Sequence, residues 1–330
     1  MVLVCVALLL GSANTGVAAR LLANGAPLVR VRDVRLPGRT TRFDYQALDV
    51  PGRRLYVAHL GDSTLDVLDL DTLGVEAIVP NISQVHGVAV ASELEKVYAS
   101  ATGADELVTI DSSTYRVISR TPTGAFPDGV AFDRDHALVV VSNKNAGTLT
   151  VIDASTGKRI RTVALSHEVG NVFYNEADKL VYAATRPPDQ LLAVDATGGT
   201  ITTRIPLTGC EGAHGVSIDS AHHRAFVACE RSGTVVTVDL EHQRVTGRNR
   251  VGTAPDVLAF DAVLGRLYVA SESGTVTTFA TRSAPITKVG EQRVAPSAHS
   301  VSVDPSTHRV FFPLEDVRGH PVLRVMRPKL

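Results

Sequence analysis

The chain has 330 residues, with 33 basic against 34 acidic side chains, no tryptophan and 5% aromatics. Balanced charge excludes the electrostatic footprint of a nucleic-acid binder, and so few rings argue against a carbohydrate groove or a single-strand stacking platform. With 44% hydrophobic residues it can bury a core, either as one large all-β domain or as two ordinary ones.

The first residues read as a targeting segment. Val2 to Leu10 is an unbroken apolar run, followed by Gly11, Ser12 and Asn14. Val17-Ala18-Ala19 then offers the small-residue pattern that a signal peptidase accepts, which predicts a signal peptide over 1–19. The run is too short to span a bilayer, so no transmembrane segment is expected in the mature chain, and the protein is expected in the periplasm or secreted. Cys5 lies inside the run without a lipoprotein-type pattern before it. After cleavage Cys210 and Cys229 remain, and an exported protein can join such a pair in a disulfide. Free thiols near His214, suited to copper or zinc, are the alternative.

Residues 20–38 carry one strand pattern, Leu28 to Leu36, closed by Pro37-Gly38 and left without neighbours of its own. Beyond it a unit recurs, clearest from Pro127 to Val163. Val130-Ala131-Phe132, Leu138 to Val141, Leu149 to Ile152 and Ile160 to Val163 are four short β-type runs separated by Asp, Asn, Gly and Ser turns. Such a unit predicts a four-stranded antiparallel meander. The turn after its first strand is marked by Asp49, Ala91, Asp133, Asn175, Asp219, Asp261 and Asp304, at intervals of 42, 42, 42, 44, 42 and 43 residues. The third strand ends in Asp at Asp69, Asp111, Asp153, Asp195 and Asp239.

A four-stranded unit at this period is the signature of a β-propeller blade. The seventh unit supplies only three strands, up to Leu330, and the unattached strand near the N-terminus supplies the fourth. The expected fold is therefore all-β: a monomeric seven-bladed β-propeller over 20–330, its ring closed by the N-terminal strand completing the last blade.

The units resemble the YVTN-repeat β-propellers, YncE-like periplasmic proteins among them. The resemblance is carried by Val140-Val141-Ser142-Asn143 with Thr148 to Asp153, and by Tyr56-Val57-Ala58 with Thr64 to Asp69. It implies the fold across the mature chain, and it names no single activity, because one fold hosts many.

Counting five residues back from each marker gives one residue per blade: Asp44, His86, Asp128, Gly170, His214, Asp256 and His299. These positions rim one channel mouth. His86, His214 and His299 fall in blades 2, 5 and 7, close to trigonal, and three inward imidazoles can hold a divalent transition metal with one position open. Asp128 and Asp256 would be further ligands or orient the rings. The competing account is turn chemistry, in which Pro-Asp-Gly and His-Gly pairs only shape the turn into the first strand.

A second ring, eleven residues after each marker, reads Leu60, Thr102, Lys144, Arg186, Glu230, Glu272 and Glu315. Basic blades 3 and 4 would face acidic blades 5 to 7, a polarised face suited to a small polar or zwitterionic ligand. Ordinary solvated loop charges are the alternative. His59 adjoins this ring and is expected in a solvated loop. No phosphate-cradling loop, nucleophile elbow or paired-cysteine zinc spacing is present. The pattern points to an exported binding scaffold for a small polar ligand, a metal or a protein partner. Its alternatives are a metal-dependent enzyme of lyase, lactonase or oxidoreductase type, and a protein-interaction platform on the outer loops.

Overall fold

The computed structural model describes residues 26–165 and 167–329. The signal-peptide reading over 1–19, Cys5 included, lies outside the described residues. Within each blade every β-branched run pairs with the next run in sequence, because the Asp- and Gly-bearing turns are too short for anything but a hairpin. In blade 3, Pro127–Asp133, Leu138–Asn143, Thr148–Asp153 and Arg159–Ala164 lie side by side in that order. Seven such four-stranded sheets form the ring, with the first strand of each innermost.

The seventh sheet is closed by both ends of the described chain. Leu28–Arg35 pairs antiparallel with Val322–Pro328, which continues to Arg309–Leu314 and Ser302–Asp304. Arg324 clamps this seam by donating to both Asp33 oxygens at 2.9 and 2.8 Å. Arg53 of blade 1 reaches Asp304 of blade 7 at 3.0 Å. This is the closure expected from the sequence.

The recurring Asp at the end of the third strand caps the following turn. Asp111 accepts from the Ser113 hydroxyl at 2.7 Å and the Thr114 amide at 2.7 Å, and these bonds bring its carboxyl down to about 2. Asp69, Asp153, Asp195 and Asp239 accept from their own turns in the same way.

Seven apolar clusters fill the seven interfaces between consecutive blades. Tyr56, Tyr98, Tyr268, Phe226 and Phe311 are fully buried in them, each side chain worth roughly 1.5–3 kcal/mol of burial before entropy is counted. The outermost strands are mostly exposed, and Arg244–Arg250 alternates exposed and half-buried residues along its whole length. Among the described residues no helix is long and apolar enough to cross a membrane.

Candidate functional site at the channel mouth

In blades 2 to 6 the innermost strand slips register where the sequence varies from blade to blade. The slips fall between Val85 and Val88, Pro127 and Val130, Val169 and Val172, Ala213 and Val216, and Pro255 and Leu258. A bulge re-aims the side chains it contains. Here it contains His86, Asp128, Gly170, His214 and Asp256. The glycine that follows is architectural in blades 2 and 5. A Cβ at Gly87 would lie 2.1 Å from the Asp128 carbonyl, and one at Gly215 would lie 1.9 Å from the Asp256 carbonyl. Gly170 is small for a different reason. Its Cβ would lie 2.8 Å from His214 Cα and 3.0 Å from His214 Nδ1, so blade 4 yields its place to that imidazole.

The bulged residues and their neighbours line a polar cavity of about 100 Å³, walled by Arg42, Asp44, Tyr45, His86, Phe126, Asp128, Lys144, His214, Glu230, Asp256 and Glu272. A larger cavity of about 310 Å³ runs on the other side of Tyr45, lined by Val88, Val130, Val172, Val216, Leu258 and Val301 among others. The larger space offers shape and few polar anchors; the convergent chemistry is at the mouth.

His214 and Asp256 are both buried, with Nε2 and Oδ1 3.3 Å apart but off the line of a hydrogen bond. Burial opposes charge on each. The contact between them more than offsets it, holding Asp256 well below the usual carboxylate range and His214 above its usual value, with the Asp128 charge adding to the latter. His86 stands 3.7 Å from Asp44. Its Nδ1 donates to the Gln84 carbonyl at 2.8 Å, with Thr102 Oγ1 also at 2.8 Å. Nε2 is therefore the atom turned to Asp44. Burial lifts Asp44 to about 6, against the pull of His86 and His299, and the charges of Asp256 and Asp128 add to the rise. The Tyr45 phenol is pushed well above its usual value by burial and then by Asp128, Asp256 and Asp44.

The second ring is not polarised as the sequence suggested. Arg186 lies between Glu168, at 2.7 Å, and Glu230, and Lys144 approaches Glu168 at 3.7 Å. Arg42 grips Glu272 through two nitrogens at 2.6 and 3.3 Å and stands 4.0 Å from Asp256. The charges interleave because Arg42 and Glu168, on the segments leading into blades 1 and 4, bring the opposite sign to each half. Glu315 is half-exposed on blade 7 and is not part of the cavity wall.

The three ring histidines do not gather at one point. His299 is 1% exposed, its Nδ1 donating to the Ser297 carbonyl at 2.8 Å. It joins Asp256 and Glu272 instead, the three offering ligand atoms within 4.8 Å of one another. A metal held here would meet Arg42 on Glu272. His59 is a clear departure from expectation: it is fully buried, stacked on Phe43 with ring centroids 4.0 Å apart, and its Nε2 meets Thr41 Oγ1 at 3.0 Å. It ends the second strand of blade 1, Arg54–His59, and the Gly38–Phe43 segment folds over it, which the sequence pattern did not reveal. Cys210 and Cys229 are joined in a disulfide beside the blade 5 bulge.

No protein-family model matches the chain, and no match is found among curated proteins. Among solved structures the chain is similar to Kuenenia stuttgartiensis hydrazine synthase, at 16% identity and a TM-score of 0.76, over 89% of this chain and 96% of that one. At that identity the likeness shows the fold alone. It agrees with the closed seven-bladed propeller seen here.

Sequence reasoning missed Arg42, Tyr45, Phe126 and Glu168. All four were within reach of the repeat alignment. Arg42, Phe126 and Glu168 occupy the position two residues before the first ring, which is left-handed at Gln84, Phe126, Gly212, Ala254 and Ser297. Tyr45 stands where blades 2, 3 and 5 carry glycine.

Proposed function

We propose that this chain is an exported propeller of the YVTN-repeat kind that works as a binding scaffold, taking a small polar ligand at the channel mouth. The observation that carries the reading is a convergence of buried polar atoms without partners among the described residues. Tyr45 Oη and His214 Nδ1 belong to residues that wall this mouth, and His299 Nε2 belongs to the residue grouped with Asp256 and Glu272 of its wall. Leaving such groups unpaired costs about 1–3 kcal/mol each, a cost that a ligand or ordered solvent relieves. The Cys210–Cys229 disulfide supports a compartment outside the cytosol. Thermal-shift screening of the mature chain against small polar compounds is the test. Hits that survive unchanged in an Asp128→Asn/Asp256→Asn variant would remove the mouth from the argument.

A second reading, a divalent metal at Asp256, Glu272 and His299, is favoured by the proximity of their ligand atoms. Those residues would hold the ion through two carboxylates and one imidazole, and the ion would supply Lewis acidity or an activated water. Arg42 would have to leave Glu272 first. Elemental analysis of protein purified without a metal-affinity tag separates the two readings. Stoichiometric metal, lost in His299→Ala, favours the second.

A further inference from the structure

Beyond Tyr45 the channel changes character. Three residues before each marker turn stand Val88, Val130, Val172, Val216, Leu258 and Val301 in blades 2 to 7, and all six line the larger cavity. Blade 1 has Gln46 there, and its carboxamide is spent on blade 7, donating to Ser300 Oγ at 3.1 Å and accepting from Ser302 Oγ at 3.0 Å. Among the described residues no charged side chain lines this cavity. Leu48, Phe173, Leu258 and Phe260 line it and are only half-buried, so they keep apolar surface that the protein does not cover. Each Å² of such surface left in water costs about 25 cal/mol.

The space has a size and a way in. It measures about 310 Å³, against the ~150 Å³ of an apolar cavity that stays dry and takes one benzene. Away from the mouth it continues into a space of about 360 Å³ that shares Leu48, Val130, Val172 and Phe173 with it. The charged residues there, Arg134 and Glu176, pair with each other at 2.9 Å. The acids and bases of the mouth line the smaller cavity, and Tyr45 walls both. An ion entering the channel would leave water for a wall without a counter-charge, which is costly. Asn171, from blade 4, is a polar exception on that wall. Its Oδ1 takes the Val172 amide at 2.8 Å, which makes its N–H₂ end the donor left for a guest.

We propose that the channel is a second binding site, separate from the mouth, for an uncharged and largely apolar molecule about the size of two fused rings, with a hydrogen-bond acceptor directed at Asn171. The guest enters from the face opposite the mouth. This site does not rest on ligand binding at the mouth.

The test is calorimetric titration of the purified chain with 2-acetylnaphthalene, 2-naphthoate and 2-naphthylmethylammonium, which share a ring system and differ in charge. The methyl resonances of Val88, Val130 and Val216 and the imidazole resonances of His86 and His214 are followed by NMR. The ketone is expected to bind and to shift the valine methyls more than the imidazoles, and the two ions to bind about tenfold more weakly or worse. Leu258→Trp, which fills the channel, is expected to abolish ketone binding, and Leu48→Trp serves the same purpose if that variant does not fold. Asn171→Ala is expected to weaken the ketone a few-fold and naphthalene not at all. Equal binding of ketone and ions, unchanged binding in a folded filled variant, or no binding of the ketone overturns the proposal. Imidazoles that move while the valine methyls stay still would put the guest at the mouth, and the second site falls while the mouth stands. Equal weakening of ketone and naphthalene in Asn171→Ala overturns the role given to Asn171.

Discussion

Two imidazole–carboxylate pairs sit on opposite sides of the mouth, and the same two residue types behave in opposite ways. Between blades 5 and 6, His214 and Asp256 approach to 3.3 Å, and Asp256 is held down while His214 is held up. Between blades 1 and 2, Asp44 and His86 are 3.7 Å apart, and Asp44 rises to about 6. Burial is similar for the two carboxylates, so burial alone does not decide. The difference lies in where the donors point. His86 commits its Nδ1 to the Gln84 carbonyl and turns Nε2 toward Asp44 at 3.7 Å, beyond hydrogen-bond reach, and Asp44 also feels the charges of Asp256 and Asp128. Asp256 has Nε2 of His214 beside it and the Arg42 guanidinium at 4.0 Å as well. An acid beside a histidine is thus a settled ion pair in one sector and a proton-hungry site in the other.

The largest effects should come from the shared backbone and be alike in both sectors. Gly215→Ala and Gly87→Ala each drive a Cβ into the next blade's carbonyl, and each is expected to cost about 3 kcal/mol or more in urea unfolding. Gly74→Ala, whose Cβ would stand 3.4 Å from its nearest neighbour, should change stability by only about 0.5 kcal/mol or less. If Gly87 tolerates alanine and Gly215 does not, the sectors differ in backbone and the comparison of side chains loses its basis.

Next comes the disulfide, which only the blade 5 sector has. Its half-cystines are 19 residues apart, so a Cys210→Ser/Cys229→Ser variant is expected to lose about 3 kcal/mol in the chain-entropy account. The His214 imidazole resonances should move in that variant and those of His86 should not. Equal movement of both would show that the mouth relaxes as a whole.

The two carboxylates should then respond to pH with opposite sign. The folded value of Asp44 lies above its ordinary 3.8, so the folded state keeps a proton that the unfolded state releases, and stability falls as pH rises from about 4 to about 6. Asp44→Asn is expected to be more stable than the parent at pH 7 by about 1–3 kcal/mol, with the gain vanishing below about pH 4. The folded value of Asp256 is depressed, so its stabilisation is present above the unfolded value and is lost as pH falls through the folded one. Asp256→Asn should therefore lose about 1–3 kcal/mol at pH 7. Denaturant melts of both variants at pH 4, 5.5 and 7 check the signs; two variants moving the same way would end the contrast.

The architecture was legible because it rests on repetition. Asp111 and Asp153 mark turns whose hydrogen bonds need only local sequence, and Leu28 to Leu36 betrays the missing strand of blade 7 by having no neighbours of its own. The ring at Asp44, His86 and Asp128 was also legible, since the alignment holds the fold constant while the residue changes. What stayed hidden depends on contacts between blades. The bulge that aims His86 and His214 exists because neighbouring backbones crowd Gly87 and Gly215, and no single blade contains that fact. The burial of His59 depends on the Gly38–Phe43 segment folding across it. The interleaved charges depend on Arg42 reaching Glu272 across 230 residues of sequence.

The smallest expected effect is the most discriminating. His86 is partly open to solvent, and its loss removes hydrogen bonds to the Gln84 carbonyl and Thr102, so His86→Gln should cost only about 0.5–1.5 kcal/mol. Its charge, however, pulls Asp44 downward. Removing it should let Asp44 titrate higher, which carboxyl carbon NMR can follow residue by residue. His214→Gln should likewise raise Asp256, and by more, because there both a closer contact and a charge are lost. If Asp44 does not move in His86→Gln, the 3.7 Å approach carries no electrostatic coupling. Asp44 would then be an acid lifted by burial alone, and the two sectors would differ in kind rather than in degree.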